Sequence, residues 1–431
     1  MNTVLLNTVN LDDGRIIKKG GSGGGVTIKN QTKSVTIAEN GNTVVSYDSG
    51  YTGLEKVSVK VAIPNEEKTV DITENGTTEV VADNGFLSKV VVNTNVASGG
   101  GGGSDMPVIG DGKTYLYIKI AERKEVTLNF SQTVSKGVTI DWGDGSPTQT
   151  SIYTDVYSAH TYADKGEYVI SLNPADGCTL DLGVKSSSYY VLGKTEDYNN
   201  TGYMLQAVEI GKGVKEIATY AFQECWALSN VIIPMGVTRI GSYAFSMCIS
   251  LTNLSLPDSI TRIDSYAFRR CYALKNIIIP DSIAQIDSYA FEDCYNLISA
   301  KLPLTTTIIN DSTFNSCYNL KNIDIPDNVT NVGSSAFYKC YSLEKLVFKT
   351  TLQYLRSNAF GLCKGMRCID FSNSTYVINL ENKNSFSSIA SDCRIVVPDS
   401  LYDAWIAATN WSISTIANKI IKKSAWDAQN T

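Results

Sequence analysis

Cysteine is the residue type in this chain that could take part in the most kinds of chemistry, and most of the cysteines are regularly spaced. A disulfide joins Cβ atoms roughly 3.5–4.5 Å apart, whereas equivalent residues on neighbouring coils of a repeat lie about 5 Å apart. A zinc ion needs converging ligands and not a straight row. The spacing therefore predicts unbridged thiols that line a core, in a protein made in a reducing compartment. Seven of the ten cysteines recur every 23 residues, at Cys225, Cys248, Cys271, Cys294, Cys317, Cys340 and Cys363.

Three cysteines, Cys178, Cys368 and Cys393, lie outside this row and receive no role. The single histidine, His160, excludes multi-histidine metal sites, and the glycine-rich run at 20–25 lacks the Lys-Ser/Thr of a phosphate loop. No Ser or Cys constellation accompanies the histidine as a triad would require. We therefore predict no enzymatic activity, no cofactor and no metal centre.

Two aspartates allow an alternative to this prediction. Asp141 and Asp144 follow a predicted strand in the run DWGDGS, and their carboxylates are the oxygen ligands that Ca²⁺ takes. The same positions favour a tight turn, which is the preferred interpretation, and calcium binding stays open.

Composition excludes two classes of partner. The formal net charge is −6 and the isoelectric point is about 5.1, which argues against binding nucleic acid by neutralising phosphates. No apolar run reaches the ~20 residues of a membrane helix, so we expect no membrane insertion. The first residues also lack the apolar stretch of an export signal, from which we expect synthesis in a cytoplasm.

The spacing of the cysteines is that of a whole repeat. Phenylalanine precedes each of the seven cysteines by three residues, and leucine or methionine follows each by three. An unbroken period of 23 residues predicts a solenoid. In one unit, Ser265 is a candidate N-cap of a short helical turn, residues 277–279 are the single strand, and Pro280 ends it. The unit AFxxCxxLxxIxIP resembles the BspA-like leucine-rich repeats of bacteria, and residues 393–411 resemble the C-terminal cap of that family.

Two further β regions precede the solenoid. Residues 35–61 and 70–96 are related units, each with alternating β-branched residues around an Asn-Gly, which predicts a hairpin. They resemble units in tail and fibre proteins of phages. Strands are predicted at 126–130 and 138–141, and the runs DWGDGS and HTYADKGEY resemble those of a PKD-type immunoglobulin-like sandwich.

The predicted fold is therefore mainly β with short helical turns: N-terminal β-hairpin units, a PKD/Ig-like sandwich, and a leucine-rich-repeat solenoid with a helical cap. The predicted regions are an anchor arm and glycine linker (1–25), two small β repeats (26–97), a glycine linker (98–105), the sandwich (106–200), the solenoid (201–390) and the cap (391–431).

Aromatic residues recur on the solenoid beyond what packing requires. They predict a surface-binding stripe of flat apolar ring faces with polar tips, suited to a glycan or a protein, although rings that only pack on one another are the alternative. One row lies two residues before the phenylalanines and the other directly after the cysteines: Tyr220, Tyr243, Tyr266 and Tyr289, then Trp226, Tyr272, Tyr295, Tyr318 and Tyr341.

Together these patterns favour a non-enzymatic attachment protein of a phage virion, a head or tail fibre. Its N-terminal arm would bind other virion proteins, and its solenoid would bind a glycan or a protein on the bacterial surface. Three copies of the chain would form a homotrimer. A bacterial surface adhesin of the BspA-like kind is the alternative. An enzyme with accessory modules is disfavoured, because no segment is left for a catalytic domain. The predicted anchor residues are Val4, Leu5, Leu6, Val9 and Leu11.

Overall fold

A computed structural model describes residues 111–122, 124–132, 136–183, 191–192, 202–349 and 351–430, together with the backbone of the strands in the first 110 residues. The chain divides into two compact units, Met1–Gly110 and Asp111–Thr431. In the described residues, no helix is both long enough and apolar enough to cross a membrane.

The described strands of the first unit form two sheets, ordered β1-β2-β4-β5 and β3-β7-β6. The pairs β2–β4 and β3–β7 are parallel, and the other neighbours are antiparallel. The strands are β1 Asn10–Asp12, β2 Asn30–Ile37, β3 Thr43–Val45, β4 Gly53–Ile63, β5 Glu66–Ile72, β6 Gly76–Val80 and β7 Val90–Thr94.

The hairpins predicted around the two Asn-Gly pairs are wrong. The strands on either side of the first pair, β2 and β3, lie in different sheets, and so do β5 and β6 around the second. Instead β4 of the first repeat pairs with β5 of the second, up to Ile63 opposite Glu66. Asn-Gly favours a local turn, but a repeat this small buries little on its own. Each repeat therefore pairs its own strands away from the Asn-Gly, β2 with β4 and β6 with β7, and the two repeats also pair with each other through β4–β5 and β3–β7.

The second unit begins with two short sheets that share one hydrophobic core. They are ordered β11-β10-β13-β8 and β12-β9-β14. Trp142, Tyr162 and Phe130 are fully buried between them. The predicted strand at 138–141 is confirmed with those bounds, and that at 126–130 lies inside a longer strand. The strands are β8 Thr114–Ile120, β9 Lys124–Gln132, β10 Val138–Asp141, β11 Gln149–Ser151, β12 Asp155–Tyr162, β13 Gly166–Pro174 and β14 Leu180–Leu182.

The solenoid follows with two strands in most coils, where the sequence predicted one. The first strands of successive coils are β15 Leu205–Glu209, β17 Asn230–Ile232, β19 Asn253–Leu254, β21 Asn276–Ile278, β23 Ser299–Lys301, β25 Asn322–Asp324, β27 Lys345–Val347, β29 Cys368–Asp370 and β31 Arg394–Val397. The second strands are β16 Val214–Ile217, β18 Arg239–Ile240, β20 Arg262–Ile263, β22 Gln285–Ile286, β24 Ile308–Ile309, β26 Asn331–Val332, β28 Tyr354–Leu355 and β30 Asn379–Leu380. Strands of each set pair in parallel from coil to coil, with breaks between β19 and β21 and between β25 and β27 in the first set and between β22 and β24 in the second.

The sheets of the sandwich run directly into those of the solenoid. Strand β15 pairs antiparallel with β8, and β16 pairs parallel with β14. The first coil therefore extends both sheets into the solenoid, and one hydrophobic core extends from Leu116 to Ile420. The sandwich accordingly covers the N-terminal end of the solenoid, which would otherwise expose an apolar coil.

The predicted helical turn is replaced by hydrogen-bonded turns with left-handed backbone. In the coil of Phe268, Tyr266 has φ of 63° and Arg270 has φ of 59°, and the same two positions are left-handed in each of the seven coils. The amides of Tyr266, Phe268 and Arg270 donate to Ser288, Ala290 and Glu292 of the next coil. A helical turn would direct these N–H groups along its own axis, so the left-handed conformation is what allows the coils to bond to one another.

A cap closes the C-terminal end. It contains the short helices Lys383–Phe386 and Asp399–Leu401, α1 Tyr402–Ala407, α2 Ser414–Ala417, β32 Ile420–Lys422 and α3 Lys423–Asn430. Trp405 and Trp411 are fully buried, and the Trp405 ring stacks on Phe371 with centroids 5.5 Å apart. The Trp411 indole N–H donates to the carbonyl of Ile378 at 2.7 Å. The indole rings thus bury the last apolar coil, as the sequence predicted.

Candidate binding surface

Two rows of stacked tyrosines lie on the turn side of the solenoid. In the first row, the centroids of Tyr220, Tyr243, Tyr266 and Tyr289 are 5.2, 4.6 and 4.5 Å apart. In the second, those of Tyr272, Tyr295, Tyr318 and Tyr341 are 4.7, 4.6 and 5.0 Å apart, with ring planes within 17° of parallel. The coil spacing sets these distances, because equivalent residues stand one above the other.

The rings of both rows present edges and hydroxyl groups to solvent, not faces. Each interior ring is covered on both sides by its neighbours, and the tyrosines are half-buried apart from Tyr341, which is 36% exposed. The expectation of flat apolar faces is therefore wrong for the interior of the rows, and the alternative, rings that pack on one another, is confirmed there. What the rows offer is a regular series of phenol groups, each able to donate and to accept a hydrogen bond.

Burial favours the protonated phenol at three of these tyrosines. Desolvation raises the pKa of Tyr243 and Tyr266, and it raises the pKa of Tyr295 to about 12. Two ion pairs lie between the rows, Arg269 with Glu292 at 2.7 Å and Arg270 with Asp293 at 3.2 Å. The surface is therefore a neutral hydrogen-bonding one, crossed by paired charges.

The second row extends further than the sequence analysis recognised. Tyr203 precedes Trp226 by one period and occupies the same position in its coil. The two rings meet edge to face at 4.9 Å, and Tyr203 is 64% exposed. Counting the 23-residue period one step back from Trp226 would have identified it. Ile249 interrupts the row between this pair and Tyr272.

The cysteine row is buried and unbridged, as predicted, and it also forms hydrogen bonds that the sequence analysis missed. Each thiol from Cys248 to Cys363 donates to the carbonyl of the phenylalanine 26 residues earlier, at 3.0–3.3 Å. Burial raises the pKa of Cys225 to about 12 and that of Cys271 well above its usual range. These thiols are therefore donors that join coils, not nucleophiles. In the sequence, the fixed Phe-x-x-Cys spacing is the signal from which these thiol-to-carbonyl hydrogen bonds could have been predicted.

The conspicuous polar residues of the sandwich form a turn. Asp141 accepts from the amide of Gly143 at 2.9 Å, and Asp144 accepts from the amide of Ser146 at 3.0 Å. The ring of His160 contacts the Asp144 carboxylate at 2.7 Å and stacks on Trp142. The hydrogen bonds from Ser146 and His160 lower the pKa of Asp144 to about 2. The turn interpretation of both aspartates is confirmed.

The structure gives less information on two further predictions, the N-terminal anchor residues and the absence of a metal centre. The anchor residues Val4, Leu5, Leu6 and Val9 lie outside the described residues, and Leu11 is described only as backbone in β1. In the part of the chain that is described, no group of three or more His, Cys, Asp or Glu side chains is arranged to hold a metal ion.

The repeat geometry agrees with a known family. Residues 195–321 and 284–404 match the BspA type leucine rich repeat region in six copies. Residues 195–404 therefore belong to the BspA-type leucine-rich repeats, which are typical of bacterial surface proteins. No curated protein sequence matches the chain significantly.

Solved leucine-rich-repeat structures are similar to the chain, among them the three that follow. A leucine rich repeat protein of T. pallidum is 30% identical over 32% of this chain and 78% of its own, with a TM-score of 0.28. A leucine rich cell surface protein of Faecalibacterium prausnitzii is 20% identical over 47% and 82%, with a TM-score of 0.29. A leucine-rich repeat protein of Bacteroides ovatus is 20% identical over 50% and 65%, with a TM-score of 0.30.

Proposed function

We propose that the chain is a non-enzymatic attachment protein whose solenoid contacts a glycan or a protein on a bacterial surface. The observation that carries this proposal is the pair of tyrosine rows along one side of the solenoid. Stacked rings are rigid before any ligand arrives, so a contact costs little side-chain entropy. Their hydroxyl groups repeat at the coil spacing, which suits a ligand with its own repeating polar groups.

We place the protein on a phage virion. The support is the resemblance of the two small β repeats to units of phage tail and fibre proteins, combined with a modular β chain. In this assignment the first residues bind other virion proteins, and the sandwich, interpreted as a PKD-type domain, is a spacer. Three copies in a homotrimer would multiply weak contacts by avidity.

A bacterial surface adhesin is the second candidate. The match of residues 195–404 to BspA-type repeats favours it, since such repeats are typical of bacterial surface proteins. Mass spectrometry of purified virions and of bacterial surface fractions separates the two candidates. Presence in virions supports the first, presence only in the surface fraction supports the second, and a purely cytoplasmic protein contradicts both.

Substitutions in the second row test the binding surface itself. The triple variant Tyr272→Ser, Tyr295→Ser and Tyr318→Ser removes rings and hydroxyls, and we expect it to lose attachment to bacterial cells. The matched triple Tyr→Phe variant keeps the stack and removes only the hydroxyl groups, so it measures how much of the attachment depends on them. If the folded triple Ser variant attaches to cells as well as the natural chain does, the tyrosine rows are not part of the binding surface.

A further inference from the structure

Four exposed side chains form a row across the first strands of consecutive coils. Each occupies the last position of its strand, at the period of the repeat: Ile278, Lys301, Asp324 and Val347. Ile278 pairs in register with Lys301, and Lys301 with Asp324. The strands of Asp324 and Val347 are not hydrogen-bonded to each other, but the core phenylalanines of their two coils stack at 5.7 Å, so these coils lie at the same spacing.

The chemical order of this row is apolar, positive, negative, apolar. Ile278 is 49% exposed and Val347 is 36% exposed. Lys301 and Asp324 are exposed as well, and among the described residues neither side chain forms an ion pair or a hydrogen bond. Charges side by side on a wet surface attract each other only weakly, so both remain available to a partner. A row in this order is complementary to itself when one copy is reversed.

A two-fold axis provides that reversal. If the axis runs parallel to the strands, between the coils of Lys301 and Asp324, a second copy faces the first with its coils in the opposite order. Lys301 then faces the partner's Asp324, and Ile278 faces the partner's Val347. A contact between two identical surfaces requires this kind of self-complementarity. An axis along the solenoid would instead place lysine against lysine, so the charges select the first arrangement.

A depression beside the row fits the same arrangement. It has a volume of about 310 Å³, lies between two adjacent coils of the row, and is lined in part by Leu302 and Pro326. Leu304 also lines it and is 61% exposed, whereas the coils on either side carry aspartate at that position, Asp281 and Asp327. The two-fold axis faces the coil of Leu304 with the partner's coil of Pro326. Each Leu304 is therefore brought to the depression of the other chain, where it can leave water.

We propose that this row binds the same row of a second copy of the chain across a two-fold axis. The contact combines two apolar pairs, two ion pairs and two buried leucines. It uses the first strands, whereas the tyrosine rows lie on the turn side, so self-association leaves the proposed binding surface free. A two-fold contact relates chains in pairs, so it adds to the proposed homotrimer by joining one trimer to another.

Exchange of the two charges tests the contact. Lys301→Asp places an aspartate against the partner's Asp324, and we expect the particle mass of the full-length chain to halve in size-exclusion chromatography with light scattering. The double variant Lys301→Asp with Asp324→Lys again places opposite charges across the axis, so it should regain the mass of the natural chain. The matched control Lys215→Asp makes the same change of charge on an exposed residue of β16 and should leave the mass unchanged.

The outcomes separate self-association from attachment. A natural particle with an odd number of chains overturns the contact, and so does a mass that Lys301→Asp leaves unchanged or that the double variant fails to regain. Should Lys301→Asp not fold, Leu304→Asp takes its place, because the neighbouring coils carry aspartate there; it should also halve the mass, and an unchanged mass overturns the contact. Failure of the natural chain to attach to bacterial cells would contradict the proposed function and leave the two-fold contact standing.

Discussion

At the scale of single residues, the cysteine row has two physical roles. The side chains fill the core beside the phenylalanines, whose rings stack at 5.2–5.7 Å along the solenoid. The same thiols donate to the phenylalanine carbonyls one coil back. The Phe268 carbonyl also accepts from the amide of Cys271 at 3.3 Å, so the thiol of Cys294 is a second donor to a backbone group that is already paired within its own coil.

Substitution of Cys294 separates these roles. Cys294→Ala removes one of the two donors to the Phe268 carbonyl and leaves a small void, and we expect it to lower the free energy of unfolding by about 1–3 kcal/mol. Cys294→Ser keeps a donor and should cost less than Cys294→Ala. Urea unfolding followed by circular dichroism measures both. Equal stability of Cys294→Ala and the natural chain would show that the thiol bond contributes nothing.

The hydrogen bonds that Asp144 receives from Ser146, together with its contact with His160, predict a pH dependence of the sandwich. The folded pKa of Asp144, about 2, is below the ordinary value of about 3.9. Its carboxylate therefore stabilises the fold above about pH 4, and this contribution is lost as the pH falls toward 2. The natural chain should exceed Asp144→Asn in stability at pH 5, with the difference shrinking between about pH 4 and pH 2. Thermal unfolding of both chains at several pH values measures it, and a constant difference would contradict the assignment.

At the scale of elements, the left-handed turn positions carry a conformational cost in every coil. Residues other than glycine disfavour φ near +60°, because Cβ crowds the carbonyl oxygen. Ser335 is one such residue, with φ of 55°, and its amide donates to Ser357 of the next coil. The bonds between coils offset the cost, which explains why tyrosine, glutamate and lysine are tolerated at these positions.

Ser335 gives a test of that balance. Ser335→Gly removes the crowding, and we expect it to raise the free energy of unfolding by up to about 1 kcal/mol despite the greater freedom of the unfolded chain. Ser335→Val adds a β-branched side chain and should lower it by about 1–2 kcal/mol. Both are read from urea unfolding curves. Equal stability of the Ser335→Val and Ser335→Gly variants would contradict the left-handed conformation at this position.

The repeat period explains which elements could be predicted from the sequence. Phe268 and Cys271 fall at a fixed place in every unit, so the solenoid and its core follow from spacing alone. The second strand, Arg262–Ile263 in one coil, is too short for any alternation to reveal it. The i, i+3 spacing of Phe268 and Cys271 fits a helical turn and a left-handed turn equally well. Bonds to the next coil decide between these turns, and no single unit contains that information.

The candidate surface could likewise be predicted from the sequence only in part. The tyrosine rows were predictable as positions, because they share the period of the core. Their stacked geometry was not, since it depends on the distance between Tyr272 and Tyr295 in different coils. The interruption of the second row at Ile249 can be predicted from the sequence once the repeats are aligned by their cysteines.

At the scale of the whole molecule, the sandwich and the solenoid form one folded body. Strands β8 and β14 of the sandwich pair with β15 and β16 of the first coil. A repeat array depends on its terminal units to cover apolar surface. The second unit should therefore unfold in one cooperative transition and not as two domains.

Truncations test this continuity. A chain of residues 111–431 keeps the second unit intact, and we expect it to be monodisperse with a single calorimetric transition. A chain of residues 202–431 lacks β8 and β14 and should aggregate or melt at a clearly lower temperature. Size-exclusion chromatography and calorimetry distinguish the cases. A well-behaved 202–431 chain with an unchanged melting temperature would show that the sandwich is dispensable.

The direction of the amides between coils limits how charge accumulates along the solenoid. On the turn side, Tyr266, Phe268 and Arg270 donate forward to the following coil, whereas at the second strand Ala284 and Asp287 donate backward to the preceding one. Peptide dipoles that all point one way add up, as they do in an α-helix. Here the two sets oppose each other, so adding a coil builds little polarity at the ends. The number of repeats can therefore change by whole units of 23 residues without an electrical penalty that grows with length.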